Sequence, residues 1–304
     1  MTDFFDAVQN VPLIRYALLA GIVSSLTFGV VGSFVVTRRI GYIAAAIAHS
    51  ILGGIGAAIF FDRTYGPFTL NITDKALENF LRLRLPDFEY RFELLSPMNG
   101  AVIAALLSAL VIGWVSLRAS EREDTIIGAI WAFGMASGLL FIHYAPGKAV
   151  SLESFIFGNI LLTSKSDVIA TVTLGAIILI LVGLFYHKLV AVCFDEEFAR
   201  LRGISSSAYY LLLLAITALS MVLMVRVAGI ILSLALLILP AATISRFSSK
   251  LWIIILGAIG LTFVLNTGGL AISFELDVPT GPFIVLVASL VYGLSFGIRK
   301  LVQK

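Results

Sequence analysis

The sequence predicts an all-α integral membrane protein, a polytopic bundle of eight or nine transmembrane helices with one short cytoplasmic helix. Three observations carry this. Of 304 residues, 60% are hydrophobic and 13% charged, where an average soluble domain has about 25% charged. A mean hydropathy of +1.04 leaves too little polar surface to cover a core in water. Apolar runs of about 20 residues, the length a helix needs to cross a bilayer, recur from end to end.

Those runs are 13–36, 42–61, 98–117, 126–144, 168–187, 208–225, 227–245, 251–270 and 282–298. The pair 208–245 is one apolar stretch interrupted by Arg226, Gly229 and Pro240. The run 151–163 is too short to span and reads as a re-entrant or broken helix. The N-terminus carries Asp3 and Asp6 ahead of its first apolar run, whereas a cleaved signal starts basic, so the first segment is expected to stay. Basic residues orient the bundle. Arg38 and Arg39, Arg118 and Arg122, His187 and Lys188, Arg246 and Lys250, and Arg299, Lys300 and Lys304 fall on one side if nine spans are counted. That side is then cytoplasmic, with the N-terminus outside. Gly134/Gly138, Gly293/Gly297 and the group Gly53, Gly54 and Gly56 provide small faces for close helix approach.

Two soluble excursions interrupt the spans. Residues 62–97, extracytoplasmic in this topology, hold eleven charges of both signs. Within them, 74–85 sets Leu77, Phe80, Leu81 and Leu85 on one helical face, ended by Pro86, to pack on the spans or lie in the interface. The second excursion, 188–207, is cytoplasmic. Its stretch FDEEFARLRG, Phe194–Gly203, has the grammar of a short helix. Asp195 caps it, Glu196 and Glu197 fill the first turn, Arg200 and Arg202 the last, and Gly203 stops it. Phe194, Phe198 and Leu201 share a face that needs either the protein's own spans or a partner.

Ionisable groups inside spans are informative because they are costly there. His49 lies within the second span and is either a metal ligand or a hydrogen-bonded core histidine. His143 and His187 fall at span ends and read as interfacial. Arg226 can snorkel to headgroups. Glu275 and Asp277 in the outer loop SFELDVPTG could attract a cation or cap the turn; with His143 they are the candidates for an outer mouth. The single cysteine, Cys193, excludes an internal disulfide and reads as a small apolar side chain. No G-x-x-x-x-G-K-[ST], H-E-x-x-H or G-x-G-x-x-G pattern occurs, so an enzyme is not expected. With a net charge of +3, nucleic acid is not expected as a partner.

Five segments together resemble a known family: GSFVVTRRIGYI at 32–43, LESFIFGNIL at 152–161, FDEEFARLRGI at 194–204, VAGIILSLALLILPAAT at 227–243 and ELDVPTGPFIVLVA at 275–288. In this order the chain is similar to the permease subunit of ATP-binding-cassette importers of zinc, manganese or iron, the ABC-3 family. The resemblance implies one permease domain over 1–304 in a bacterial cytoplasmic membrane, working by alternating access and without a cofactor of its own. It implies a second permease subunit, identical or not, a cytoplasmic ATP-binding subunit and an extracytoplasmic metal-binding protein. It makes Phe194, Asp195, Glu196, Glu197, Phe198, Ala199, Arg200, Leu201, Arg202 and Gly203 the segment coupled to the ATPase.

One departure stands out. The family's second span typically has an Asp four residues before its His, and here that position is Ala45. Gly53 also stands where a Pro often precedes Gly54. His49 remains the candidate metal contact. The missing carboxylate comes from elsewhere, or from a different permease partner, or the substrate differs. The competing expectation is a secondary transporter or channel for a cation or small solute, needing no ATPase, for which FDEEFARLRG would be dispensable.

Overall fold

The computed structural model describes residues 8, 10–66, 96–118, 123–147, 155–158 and 163–302, and among them there is no β-strand. The helices are α1 (Pro12–Arg38), α2 (Gly41–Tyr65), α3 (Pro97–Arg118), α4 (Glu123–Tyr144), α5 (Lys165–Phe194), α6 (Glu196–Leu201), α7 (Ser206–Ser245), α8 (Leu251–Glu275) and α9 (Thr280–Val302). All but α6 are long and apolar enough to cross a bilayer. Helix α7 supplies two spans, Ser206–Val225 and Val227–Ser245, so the described residues hold nine.

The reversal inside α7 decides the topology. Gly229 has φ 76° and ψ 171°, a region nearly closed to residues with a Cβ. Before it, Leu211 and Leu214 pack on Gly113, near the end of α3 that carries Arg118. After it, Leu237 and Ile238 lie against Gly32 and Gly41, beside Arg38. The chain therefore leaves the basic end, turns at Gly229 and comes back. The crossings are odd in number, and Arg38, Arg118, Lys188, Arg246 and Lys250 gather at one end, the end that the positive-inside rule would turn to the cytoplasm. Of the three interruptions in 208–245, only Gly229 breaks the helix; Pro240 sits inside it. The side chain of Arg226 lies outside the described residues.

At the opposite end three glycines meet. The backbone of Gly158 abuts Ala228 and Gly229, and Gly281 at the start of α9 faces the Phe157 carbonyl. Of the run 151–163, only 155–158 and Thr163 are described, and 155–158 docks on the α7 turn.

Helices α1, α2 and both halves of α7 form the centre, with 67–72% of their spanning residues buried, against 22–28% in α3, α4, α5 and α9. Polar side chains survive there by bonding to their own helix. Ser25 donates to Gly21 O (2.6 Å), Ser33 to Gly29 O (2.6 Å) and Ser220 to Ile216 O (2.8 Å). Such back-bonds satisfy hydroxyls where no water is present. Asn266 of α8 reaches across instead, donating to Gly21 O (3.1 Å) and Ser25 Oγ (3.0 Å) of α1. Cys193 is buried and apolar in setting.

Several boundaries differ from the sequence expectation. The fifth span does not stop at His187 but runs to Phe194, because Lys188 settles over the rings of Phe185 (5.8 Å) and Tyr209 (5.3 Å) and leaves the helix intact. The excursion expected over 188–207 shrinks to α6 and its flanking residues. Helix α2 continues to Tyr65 and α3 starts at Pro97, so the connection between them is 66–96, and the face of Leu77, Phe80, Leu81 and Leu85 lies outside the described residues. Gly134 and Gly138 do sit under α2, against Ser50, Gly53 and Leu52, whereas Gly293 and Gly297 face open space.

Helix α5 opens with a reciprocal cap. Asp167 N donates to Ser164 Oγ (3.2 Å), and Ser164 N donates to Asp167 Oδ2 (3.0 Å). Ser164→Ala is expected to cost about 1 kcal/mol, read as a fall of roughly 1.5–2 °C in melting temperature in detergent.

Candidate functional site

Helix α6 forms as its residues dictate. Phe198 N donates to Asp195 Oδ1 (2.9 Å), capping the first turn. Glu196 and Glu197 occupy that turn, Arg200 the last, and Arg202 is the C-cap. Gly203 then takes φ 75°, ending the helix. One residue faces the bundle: Ala199 is fully buried. The apolar stripe points away, with Phe194 57%, Phe198 46% and Leu201 87% exposed, so it does not pack on the protein's own spans.

Glu196 ties α6 to the rest of the basic end. Arg38 Nη2 donates to its Oε2 at 2.7 Å and Arg200 Nη2 to its Oε1 at 2.6 Å. Desolvation pushes this carboxyl up, but the two guanidiniums outweigh it and hold it below its ordinary value. Arg38 also lies 5.6 Å over the Tyr210 ring, and the Tyr210 hydroxyl meets Ser116 Oγ at 3.2 Å. These groups, with Arg39, Tyr42 and Asp124, line a polar cavity of about 380 Å³.

His49 stands eight residues into α2, on the seam with α4. Its ring stacks on Trp131 (centroids 4.3 Å apart, 25° between planes), and Tyr42 packs on the same indole at 6.0 Å. Its Nδ1 lies 2.8 Å from Ala45 O. A carbonyl can only accept, so Nδ1 carries the proton, and in the neutral ring Nε2 keeps its lone pair. This is the tautomer of a metal-ligating imidazole, which hands its other N–H to a carbonyl or carboxylate. The residue at 45 thus acts through its backbone, although its side chain is a methyl. Sequence reasoning missed Trp131, whose 82-residue separation from His49 hides the stack. Its only signal is a tryptophan inside a span.

The outer candidates are not drawn together. His143 is exposed at the end of α4, edge-on to Tyr144. Glu275 ends α8, and Asp277 comes after it in a left-handed turn at φ 52°. Helix α4 packs on α2 and α3, while α8 packs on α1, α7 and α9. Among the described residues no three His, Cys, Asp or Glu side chains come close enough to hold a metal ion. His187, exposed near the inner end of α5, sits edge-on to Tyr186.

The family model described as "ABC 3 transport family" matches residues 10–76 and 88–299. A relative named "Probable metal transport system membrane protein" from Chlamydia muridarum is 36% identical over 290 residues, covering 95% of this chain and 90% of that protein. A "Manganese transport system membrane protein MntC" from Halalkalibacterium halodurans is 29% identical, over 97% and 90% respectively. The solved structure "PsaBC from Streptococcus pneumoniae in complex with Fab" superposes with a TM-score of 0.77 at 28% identity, covering 97% of this chain and 95% of that one. The family match runs through every span and breaks only within the 66–96 connection, and on that ground this multi-pass membrane protein belongs to the ABC 3 transport family.

Proposed function

We propose that the chain is the membrane permease of an ATP-driven importer for a divalent transition-metal ion in a bacterial cytoplasmic membrane, with manganese the first candidate and zinc and iron behind it. Relatives named for manganese transport support the metal. The observation that carries the reading is α6: a capped helix at the cytoplasmic end that buries Ala199 and turns Phe198 and Leu201 outward beside Phe194, the last residue of α5. A stripe of this kind fits the cleft of a cytoplasmic ATP-binding subunit, and α6 connects that subunit to α5 and α7. Glu275, Asp277 and His143 belong to the outer surface where a metal-binding protein would deliver the ion.

His49 Nε2 is the metal contact in transit. One imidazole is a weak site, so the remaining ligands come from water and from a second permease subunit, identical or not. The test is Mn²⁺ uptake into liposomes holding the permease with its ATP-binding subunit. Uptake should need both the subunit and ATP, and His49→Ala should lower it about tenfold or more while the protein stays folded. Undiminished uptake by that variant removes His49 from the pathway. Uptake without the ATP-binding subunit favours the secondary transporter.

A further inference from the structure

We propose that the Arg38–Glu196 ion pair is the positioning link through which movement of α6 reaches the α1–α2 corner and, along α2, His49. The inference rests on the importer reading. Helix α6 packs on α5 and α7, its two covalent neighbours. Neither carries His49, and although α7 also packs on the α1–α2 corner through Leu237 and Ile238, the ion pair is the bond that α6 itself makes there. The 2.7 Å bond from Arg38 Nη2 to Glu196 Oε2 joins residues 158 apart in sequence and ties α6 to the end of α1. Glu196 is held ready for it, because Arg200 takes the other carboxylate oxygen at 2.6 Å. Arg38 is steadied in turn over the ring of Tyr210.

The chain beyond Arg38 is stiff. Arg39 adopts φ 61°, Arg39 N donates to Val36 O (3.1 Å) and Ile40 N to Val35 O (3.0 Å), closing the helix end in a Schellman-type turn. Only Arg39 and Ile40 separate α1 from α2, and Ile40 is buried. From Gly41 to His49 is about 12 Å of unbroken helix at 1.5 Å per residue. A pull on Arg38 is therefore delivered to α2 rather than absorbed in a loop. The pair itself is partly solvated, its side chains 25% and 29% exposed, and such pairs add little to folding. Its effect should show in coupling.

The experiment reconstitutes the permease with its ATP-binding subunit in liposomes and measures Mn²⁺ imported per ATP hydrolysed. Arg38→Gln should leave assembly and hydrolysis in place and lower that ratio at least about fivefold, within the usual range of coupling between sites. Arg38→Lys, which keeps the charge, should recover part of it. The exchange Arg38→Glu with Glu196→Arg should recover most of it, since a carboxylate at 38 can still bridge two guanidiniums. An unchanged ratio in Arg38→Gln overturns the proposal. So does an exchanged pair that assembles yet imports as poorly as Arg38→Gln, and this arm decides if Arg38→Gln fails to fold. A wild-type complex that imports no Mn²⁺ with ATP removes the importer reading and this inference with it, whereas an active wild type with an unmoved ratio removes the link alone.

Discussion

Gly229→Ala lowers the melting temperature in detergent by at least about 3 °C, or prevents recovery of folded protein, while Gly293→Ala leaves it unchanged within error. Two independent costs add at position 229. Its φ of 76° and ψ of 171° lie in a region essentially reserved for glycine, worth roughly 1–3 kcal/mol when a side chain is forced there. A Cβ at that point would also run into the backbone of Gly158, Phe157 and Ile156, and overpacking of this kind costs roughly another 1–3 kcal/mol. Backbone cannot rotate aside as a side chain can, so the 155–158 turn must move. At about 1.6 °C per kcal/mol for a chain of 304 residues, a combined cost of roughly 2–6 kcal/mol gives a shift of about 3–10 °C. Gly293 is the control because a Cβ there meets nothing within 4 Å, and surface changes away from special features stay within about 0.5 kcal/mol. A 229 variant as stable as the parent would mean that the reversal inside α7 is not built on this contact.

The same pair of glycines shows what can be read from a sequence and what cannot. Spans are legible because hydropathy is summed over some 20 residues and lipid enforces it on each one. Helix α6 is legible for the opposite reason: cap, charges and stop lie within ten residues, so local chemistry decides. The turn in α7 falls between these cases. Arg226, Gly229 and Pro240 are all plausible breaks in the sequence, and only the distant partners Gly158 and Gly281 select the middle one. Likewise Gly134/Gly138 and Gly293/Gly297 have identical spacing, yet only the first pair meets another helix of the described chain. His187 and Lys188 resemble a span end, but lysine over aromatic rings can lie along a continuing helix.

His49 could be singled out in the sequence as an ionisable group inside a span, but its surroundings could not be read there. Nothing local announces Trp131, nor that the carbonyl of residue 45 would orient the imidazole once the carboxylate of that residue is absent. The five segments that carry the family resemblance also acquire a geometry the sequence does not hold. Segments 152–161, 227–243 and 275–288 meet through Gly158, Gly229 and Gly281 at the outer end. Segments 32–43 and 194–204 meet through Arg38 and Glu196 at the inner end. Residues far apart in the chain thus form two junctions, one at each end of the bundle, and these are the places that the proposed import cycle would have to open and close.

Leu201→Asp and Phe198→Asp are expected to separate docking from folding, and Ala199→Asp to do the reverse. Leu201 is 87% and Phe198 46% exposed, so a carboxylate there is solvated in the free permease and stability should move by no more than about 0.5 kcal/mol. In a complex the same carboxylate would be driven into an apolar cleft. Loss of a central apolar anchor costs about 2 kcal/mol or more, close to thirtyfold in Kd. Affinity for the ATP-binding subunit, by titration of purified components, should fall by that factor while the melting temperature holds. Ala199 is fully buried against the bundle, so an unpaired charge there costs about 3 kcal/mol or more and should unseat α6 before any partner is added. If Leu201→Asp and Phe198→Asp bind as tightly as the parent, α6 is not the docked helix. If all three variants lose stability equally, the exposed stripe is packed in the native protein, and the lever by which hydrolysis would move the spans has to be sought on another part of the cytoplasmic face.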